Sequence, residues 1–424
     1  MSDFLVIQAA RFGDLVQTKR LILTLMARGS VRLLVDRAMT RLASLLYPDA
    51  EAYGFPFHTK PTADDIADMR AFLKKCTPQT ITSVYNCNFS EMTAAVCRHF
   101  DIEQVVGYRP AASFSGGIER SPWTRLIFSM TRERCSSPLN LVDFWGGFAS
   151  RPLDASSVNP TPEGGGRGLG IVMAGREARR SLPAQLLAGI VKIYFSLLDG
   201  PQVYLLGSRT EQRAAVELLR FLPSSILSHV HNLTGKTDWD GLFHAVRGLD
   251  AVITPDTGTM HLAAHLGVPV KAFFLSSAWC HETGPYGSGH TVWQAAPDCA
   301  PCLESAPCSN EMACLKLLQG NNFLRSVALA EDPGHSLGGC PVPEGMQLWK
   351  SGFDALGGVF SLIAGQDASA EERAVNRELI ADQVFLSGNV ARSGKYDGDM
   401  AVRRHAYGKS IEDLNWMLPI RRYS

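Results

Sequence analysis

Short apolar runs alternate with helical patterns along most of the chain. Near-continuous apolar runs are typical of parallel strands buried on both faces, and helices between them are typical of a doubly wound sheet. The predicted strands lie at 4–10, 31–36, 81–87, 105–108, 169–174, 202–207, 229–234, 251–255 and 270–275. The predicted helices lie at 15–28, 63–75, 91–100, 183–198, 210–221, 239–247, 259–266 and 370–383. The pattern predicts an α/β protein.

A segment rich in Pro, Gly and Ser at 151–168, RPLDASSVNPTPEGGGRG, interrupts this alternation. Such a composition is typical of linkers, so we expect a Rossmann-like, doubly wound domain on either side of it. The predicted boundaries are 1–155 for the N-terminal domain, 156–168 for the linker, 169–330 for the C-terminal domain and 331–424 for a partly helical C-terminal appendage. Since ligands of such sheets bind beyond the carboxyl ends of the strands, we expect a site in a cleft between the two domains.

The composition narrows the class of protein. A chain of 424 residues is too long for one ordinary domain, and 46% hydrophobic with 19% charged residues indicates packed globular domains. Lys plus Arg and Asp plus Glu number 41 each, which argues against a nucleic-acid-binding protein. The apolar N-terminal run lacks the features of a signal peptide, and no apolar stretch reaches the roughly 18 residues of a membrane span. We therefore expect a cytoplasmic protein.

The first candidate site follows the first predicted strand, at Arg11-Phe12-Gly13-Asp14. Gly13 permits a tight turn, and Asp14 lies near the start of the next helix. A carboxylate there has two interpretations: a general base that accepts a proton from a sugar hydroxyl, or a residue that caps the helix. The absence of a G-x-G-x-x-G pattern argues against a dinucleotide-dependent oxidoreductase.

The second candidate site is 254–264, TPDTGTMHLAA, where a strand ends and a helix begins. Gly258 lets backbone N–H groups approach a phosphate, and the helix N-terminus attracts negative charge. Asp256 and Thr257 are placed to cap that helix, and His261 lies one turn further along. The segment predicts a phosphate-binding turn, in which His261 either contacts the ligand or packs in the core.

Two further loops carry polar and basic residues. The segment 232–237, NLTGKT, follows a strand, and its Lys236 either meets a phosphate or is solvated. The segment 174–180, AGREARR, follows the first strand of the second domain. Its arginines either hold a diphosphate through charge-assisted hydrogen bonds or form a solvated surface run.

Four cysteines lie close together in the sequence, at Cys299, Cys302, Cys308 and Cys314. In a cytoplasmic protein, cysteines are expected to be free thiols or metal ligands and not disulfides. Four thiolates suit a structural zinc or iron site, but the spacing is looser than that of two paired C-x2-C motifs. Free thiols and a structural metal both stay open, and no metal or cofactor is assigned to the catalytic site.

Taken together, these motifs resemble glycosyltransferase family 9, the ADP-heptose:lipopolysaccharide heptosyltransferases. The matching segments cover about residues 4–320 and occur in the family's order. They are RFGDLVQT at 11–18, LLGSRTE at 205–211, NLTGKT at 232–237, PDTGTMHLAAHLGVPV at 255–270 and TGPYG at 283–287. The resemblance implies a GT-B fold, with two Rossmann-like domains facing each other across a cleft. It also implies inverting sugar transfer without a catalytic metal or other cofactor.

The resemblance implies roles for individual residues. Asp14 matches the family's proposed general base, which favours the catalytic interpretation over the capping one. The implied substrate-binding residues are Gly13, Arg180, Glu211, Thr237, Asp256, Thr257, Gly258 and His261. Glu211 and Thr237 match positions that contact the nucleoside. The implied partners are an ADP-sugar donor and a lipid-linked or lipopolysaccharide core acceptor.

The chain departs from the family pattern in two places. The family usually has Lys-Arg-Trp-Pro where this chain has Arg180-Ser181-Leu182-Pro183. A planar guanidinium then replaces a point charge, so nucleotide sugars other than ADP-heptose stay open as donors. The appendage at 331–424 is the second departure. A related group, the autotransporter heptosyltransferases, holds iron with four Cys, which keeps a metal at the cysteine segment open.

Other functions also stay open. A local excess of basic residues either meets a phosphorylated acceptor or the inner membrane surface, or is an ordinary solvated surface. These residues are Arg109, Arg120, Arg125, Arg132 and Arg134. The alternatives to a glycosyltransferase are a sugar-nucleotide epimerase or hydrolase on the same fold, and a non-catalytic sugar-nucleotide-binding protein.

Overall fold

The computed structural model describes residues 2–111, 117–131, 133–173, 178–303, 306–332 and 341–387. The chain divides into two compact units. The first consists of Met1–Asp154 and the segment from Ala374 onward, and the second of Ala155–Arg373. Three parts of the chain that carry predictions lie outside the described residues: Arg132, the start of the predicted arginine loop at 174–177, and residues 333–340 and 388–424 of the predicted appendage.

The first unit contains a 6-stranded sheet with the order β3-β2-β1-β4-β5-β6. Its strands are β1 Ser2–Gln8, β2 Gly29–Asp36, β3 Glu51–Phe55, β4 Ser83–Asn86, β5 Val105–Pro110 and β6 Ile118–Arg120. Strands β1 to β5 run parallel, and β6 pairs antiparallel with β5. Leu5, Val6 and Ile7 of β1 are all 0% exposed, so both faces of the sheet are covered.

The helices of the first unit are α1 Phe12–Gln17, α2 Lys19–Met26, α3 Thr40–Leu46, α4 Ala63–Lys75, α5 Glu91–Cys97, α6 Pro122–Met130 and α7 Leu141–Gly146. The helix predicted at 15–28 is divided at Thr18, whose hydroxyl donates a 2.7 Å hydrogen bond to the Asp14 carbonyl oxygen. Such a side-chain bond competes with regular helix bonding. Arg20 of α2 forms a buried ion pair with Asp143 of α7 at 2.6 Å, which joins these two helices.

The second unit contains an 8-stranded sheet with the order β14-β13-β12-β11-β10-β7-β8-β9. Its strands are β7 Leu169–Val172, β8 Val203–Leu206, β9 Val230–Asn232, β10 Ala251–Thr254, β11 Val270–Phe274, β12 Thr291–Ala295, β13 Met346–Phe353 and β14 Gly358–Ala364. Strands β7 to β12 run parallel, and β13 and β14 are antiparallel additions at one edge. Each unit is therefore an α/β sheet with Rossmann-like strand order, as the alternation predicted.

The helices of the second unit are α8 Ala184–Leu197, α9 Gln212–Leu219, α10 Ser224–Leu227, α11 Trp239–Val246, α12 Gly258–His265, α13 Cys280–Thr283, α14 Ala313–Lys316 and α15 Asn321–Ala330. The last described helix, α16 Ala370–Ser387, begins in the second unit and continues in the first. In α8 the buried residues Leu187, Ile190, Val191 and Tyr194 recur at helical spacing and pack in the core of the sheet. None of the described helices combines the length and apolar composition needed to cross a bilayer.

Two predicted segments look different in the structure. Within the segment predicted as an appendage, β13 and β14 extend the second sheet, because β13 pairs with β12. Residues of the predicted linker are bonded to the second unit, for example through a 2.9 Å bond from the Glu163 N–H to the Gly267 carbonyl oxygen. A Cβ on Gly165 would lie 2.2 Å from the carbonyl oxygen of Gly248. Glycine at 165 thus allows close backbone packing within the segment predicted as a linker.

Candidate functional site

The second sheet reverses its strand order between β7 and β10, which lie side by side. Such a reversal leaves a crevice at the carboxyl ends of the strands, where ligands of α/β proteins bind. Arg180 lies in the loop after β7, and Asp256 and Thr257 lie between β10 and α12. Residues predicted from separate motifs therefore meet at one place in this unit.

The carboxylate of Asp256 is the centre of a hydrogen-bonded group. Arg180 Nη2 donates to Asp256 Oδ2 at 2.6 Å and to the Asp256 carbonyl oxygen at 3.0 Å. The Thr283 hydroxyl donates to the same Oδ2 at 3.1 Å, and His261 Nε2 lies 3.8 Å from Oδ1. The Arg180 and Asp256 side chains are 12% and 9% exposed. The arginine predicted to hold a diphosphate is thus already paired with a carboxylate of its own unit.

Threonines shape the start of α12. Thr257 is the N-cap, and its Oγ1 accepts a 3.2 Å hydrogen bond from the Met260 N–H. The same oxygen lies 3.0 Å from Oγ1 of buried Thr254. Gly258 is the first residue of α12. Because the first N–H groups of a helix have no carbonyl partner within it, this end of α12 favours an anion.

His261 lies one turn into α12 and is 7% exposed. Burial lowers the pKa of its imidazole from 6.5 to about 4, while the Asp256 charge acts to raise it and Arg180 adds to the lowering. The ring is therefore uncharged at neutral pH and carries one N–H donor. The structure shows a histidine that is both buried and beside Asp256.

The lowered pKa of His261 makes folding depend on pH. Between pH 6.5 and 4 the unfolded chain binds a proton that the folded imidazole does not, so the free energy of unfolding falls as the pH drops through this window. We expect His261→Gln to reduce that fall by on the order of 3 kcal/mol, measured by urea denaturation at both ends of the window. His290, whose pKa burial lowers to about 3, should retain its own contribution. An unchanged pH dependence in the variant would contradict this assignment.

Glu211 and Thr237, predicted near the nucleoside, follow the neighbouring strands β8 and β9. Glu211 Oε2 accepts a 2.6 Å hydrogen bond from the Ser208 N–H, which closes the turn after β8. The Gly235 N–H donates to the Gly207 carbonyl oxygen at 2.9 Å, so the loops after β8 and β9 are joined. Both predicted residues therefore lie at the carboxyl edge of the sheet, and their contact with a nucleoside stays a prediction.

In the first unit, Asp14 lies after β1, where the strand order reverses between β1 and β4. Asp14 Oδ2 accepts a 3.1 Å hydrogen bond from the Arg11 N–H, so the carboxylate caps the start of α1. The charge of Asp14 also adds to the burial that raises the pKa of the Cys87 thiol, just beyond β4. Capping does not exclude general base catalysis, because a carboxylate has about four lone-pair sites for hydrogen bonds.

Buried amide side chains hold the loop that precedes α1, and sequence reasoning did not single them out. Asn88 Oδ1 accepts from the Ala9 N–H at 3.0 Å, and Asn88 Nδ2 donates to the Ile7 carbonyl oxygen at 2.8 Å. Gln8 Nε2 donates to Thr18 Oγ1 at 2.8 Å. The available signal was an asparagine directly after a predicted strand, a residue that favours local backbone bonding. These bonds position the turn that carries Asp14.

The basic residues of the first unit are partly engaged within it. Arg109 Nε lies 3.7 Å from a carboxylate oxygen of Glu119. The guanidinium of Arg120 lies 4.8 Å from the ring centre of Phe128, and burial lowers its pKa. Contact of this region with a membrane or a phosphorylated acceptor stays a prediction.

The cysteine segment packs near β11. The N–H of half-buried Cys302 donates to the Ser276 carbonyl oxygen at 3.0 Å, and burial raises the pKa of its thiol, with Cys299 and Cys314 adding to the effect. The pKa of exposed Cys308 is lowered by backbone N–H groups, first that of Met312, which lies 3.3 Å from the sulfur. Among the described residues there is no group of three or more His, Cys, Asp or Glu side chains that could hold a metal ion. Burial and neighbouring thiols therefore raise the pKa of Cys302, but the described cysteines are not arranged to bind a metal ion.

Comparison with known proteins finds similarity in the second unit, in a segment that contains several of the candidate site residues. Residues 196–313 match the model of the family described as glycosyltransferase family 9 (heptosyltransferase). Lipopolysaccharide heptosyltransferase 2 of Escherichia coli (strain K12) is 29% identical over 139 residues. That match spans 33% of this chain and 33% of the relative, so it covers about a third of the curated protein. The predicted resemblance is confirmed over this segment, which contains Asp256, His261 and Thr283.

Solved structures extend the likeness to more of the chain. The glycosyltransferase family 9 protein of Veillonella parvula DSM 2008 has a TM-score of 0.54 at 14% identity, and covers 70% of this chain and 88% of its own. The E. coli heptosyltransferase WaaC, solved with ADP, has a TM-score of 0.51 at 15% identity and covers 70% of this chain and 93% of its own. At these identities the likeness shows the fold, and it confirms the predicted α/β fold of the GT-B type.

Proposed function

Because residues 196–313 match the model of glycosyltransferase family 9, we propose that this protein is an inverting, metal-independent glycosyltransferase. It transfers a heptose or a related sugar from an ADP-sugar to a lipopolysaccharide core or similar lipid-linked acceptor. It acts in the cytoplasm, in peripheral contact with the inner membrane that anchors such an acceptor.

The observation that carries this proposal is the group formed by Arg180, Asp256 and His261 beside the start of α12. A diphosphate is held best by charge-assisted hydrogen bonds and helix N–H groups in a partly buried place. This group offers a guanidinium, an uncharged imidazole and a helix N-terminus within one unit. A bound diphosphate must share Arg180 with the Asp256 carboxylate, which already accepts a hydrogen bond from the guanidinium. A guanidinium has five N–H donors in a planar fork, so one arginine suits two anionic partners.

The proposed mechanism assigns one role to Asp14 and another to the group around Arg180. The Asp14 carboxylate accepts the proton of the acceptor hydroxyl as that oxygen attacks the anomeric carbon. The bond from this carbon to the diphosphate oxygen breaks on the opposite face, which inverts the configuration, and ADP leaves with the electron pair. Arg180 and the N–H groups at the start of α12 stabilise the charge that develops on the diphosphate.

The test is a transfer assay with purified protein. ADP-heptose and a heptose-deficient lipopolysaccharide core are supplied with and without a chelator, and ADP release and the mass of the acceptor are followed. Transfer that the chelator does not affect is expected, with calorimetric binding of the ADP-sugar tighter than that of UDP- and GDP-sugars. Donor turnover without any acceptor would favour an epimerase or hydrolase. Tight binding with no turnover would favour a non-catalytic protein.

A further inference from the structure

Thr283, the last residue of α13, shares its hydrogen-bond acceptor with Arg180. The Thr283 hydroxyl donates to Asp256 Oδ2 at 3.1 Å, and Arg180 Nη2 donates to the same oxygen at 2.6 Å. The other oxygen, Oδ1, is directed to His261 at 3.8 Å. These contacts restrict the rotation of the carboxylate. The same Thr283 hydroxyl also lies 3.4 Å from the Trp279 carbonyl oxygen, a longer contact than the one to Asp256. Thr283 therefore contributes to how Asp256 faces Arg180 and His261.

The beginning of α13 is anchored to the sheet. The Cys280 N–H donates to Gln294 Oε1 at 3.2 Å, and Gln294 Nε2 donates to the Ala278 carbonyl oxygen at 3.1 Å. Gln294 belongs to β12 and is 0% exposed. Breaking these bonds would leave buried amide groups without partners, which is costly. The helix start is thus held in one place.

Helix α13 and the residue after it also pack against the antiparallel pair β13 and β14. The ring centre of His281 lies 4.7 Å from that of Trp349 in β13 and 5.8 Å from that of Phe360 in β14, and both pairs are edge to face. A Cβ added to Gly284, directly after Thr283, would lie 2.3 Å from the Phe360 ring. These strands lie beyond the segment 196–313 that matches the family model. They support the one helix that brings Thr283 to Asp256.

We propose that Thr283 is a positioning residue of the diphosphate subsite, and that β13 and β14 keep it there. This inference rests on the proposed function, in which a diphosphate draws on Arg180. A diphosphate and the Asp256 carboxylate compete for one guanidinium, and the Thr283 hydroxyl supplies part of the hydrogen bonding that the carboxylate needs. Without that hydroxyl, Asp256 relies more heavily on Arg180. The arginine is then less available to the diphosphate, while the nucleoside contacts are unchanged.

The experiment compares Thr283→Val, which has nearly the same shape, with Thr283→Ser, which keeps the hydroxyl. Calorimetry gives Kd for ADP and for AMP, and thermal unfolding confirms that each variant is folded. We expect Thr283→Val to weaken ADP binding about tenfold, the usual size for one hydrogen bond to a charged group, with AMP binding changed by less than about twofold. Thr283→Ser should restore ADP binding. Equal losses for ADP and AMP, or no loss for either, would overturn the inference.

Phe360→Leu tests the supporting strands without touching the site. The same selective loss of ADP binding is expected, smaller than in Thr283→Val, because the end of α13 loses an aromatic contact. An unchanged ratio of ADP to AMP affinity would overturn the role of β14. Failure of the proposed function gives a different result: the unaltered protein would bind ADP and AMP equally, or would bind neither.

Discussion

Replacing Asp14 with Asn is expected to lower kcat about a hundredfold to ten-thousandfold, the range typical of removing a general base. The affinity for ADP should stay the same, because Arg180 and His261, which we propose bind the nucleotide sugar, belong to the other unit. Asn keeps a side-chain oxygen that accepts from the Arg11 N–H, the 3.1 Å bond made by Asp14, so the helix cap survives. The change therefore separates base catalysis from capping. The measurement is transfer rate at saturating ADP-sugar and acceptor.

Asp65 offers a matched control for this prediction. It occupies the equivalent third position of α4, where its Oδ2 accepts a 2.7 Å hydrogen bond from the Thr62 N–H, and it also pairs with Arg37. Asp65→Asn should lower the unfolding temperature through the lost ion pair and leave kcat unchanged. A near-normal kcat in Asp14→Asn, or an equal loss of kcat in Asp14→Asn and Asp65→Asn, would show that Asp14 is not the general base.

Replacing Asp256 with Ala is expected to lower the free energy of unfolding by about 3–5 kcal/mol, because Arg180 then loses its carboxylate while largely buried. The pair is 2.6 Å long with side-chain exposures of 12% and 9%, so water replaces the lost partner poorly. Urea denaturation measures the change. In Arg180→Met with Asp256→Ala the loss should be well below the sum of the two single losses, since no unpaired charge remains. Additive losses would show that the pair contributes no coupling.

The Arg20–Asp143 pair of the first unit serves as the control for ligand binding. It is also 2.6 Å long, with exposures of 7% and 2%. Asp143→Ala should destabilise the protein to a similar extent and leave ADP affinity within about twofold. Asp256→Ala should weaken ADP binding in addition, because Arg180 and His261 lose the carboxylate that orients them, and this loss outweighs the removal of a competitor for the guanidinium. A similar loss of ADP affinity in both variants would attribute the effect to stability alone.

The pairing of Arg180 with Asp256 also bears on the replacement of the family's usual lysine. A guanidinium can keep one edge on a carboxylate and present another to phosphate, whereas an ammonium is a compact point charge. Arg180→Lys is therefore not a conservative change at this position. Under the proposed function, we expect that geometry as well as charge to influence which nucleotide sugar this protein prefers as donor.

The sequence by itself determined most of the parallel strands and the edge of the sheet where the candidate site lies. Apolar runs such as Leu5 to Ile7 predict buried parallel strands. Successive side chains point to opposite faces of the sheet, so a continuous apolar run indicates that both faces are covered. The cap Thr257 and the turns before α1 and α12 were equally readable, since capping depends on residues within one turn. Asp14 and Asp256 could be placed at the carboxyl ends of strands from local patterns alone.

Only the tertiary structure decided which of these residues are partners. Arg180 and Asp256 are 76 positions apart, and Asp256 and Thr283 are 27 apart, so no local pattern encodes their hydrogen bonds. The strands β13 and β14 were missed because an antiparallel addition at a sheet edge is stabilised by its neighbour β12 more than by its own sequence. Local chemistry fixes where a strand or helix begins and ends. Long-range packing fixes which side chains meet, because that depends on how separate segments fit together.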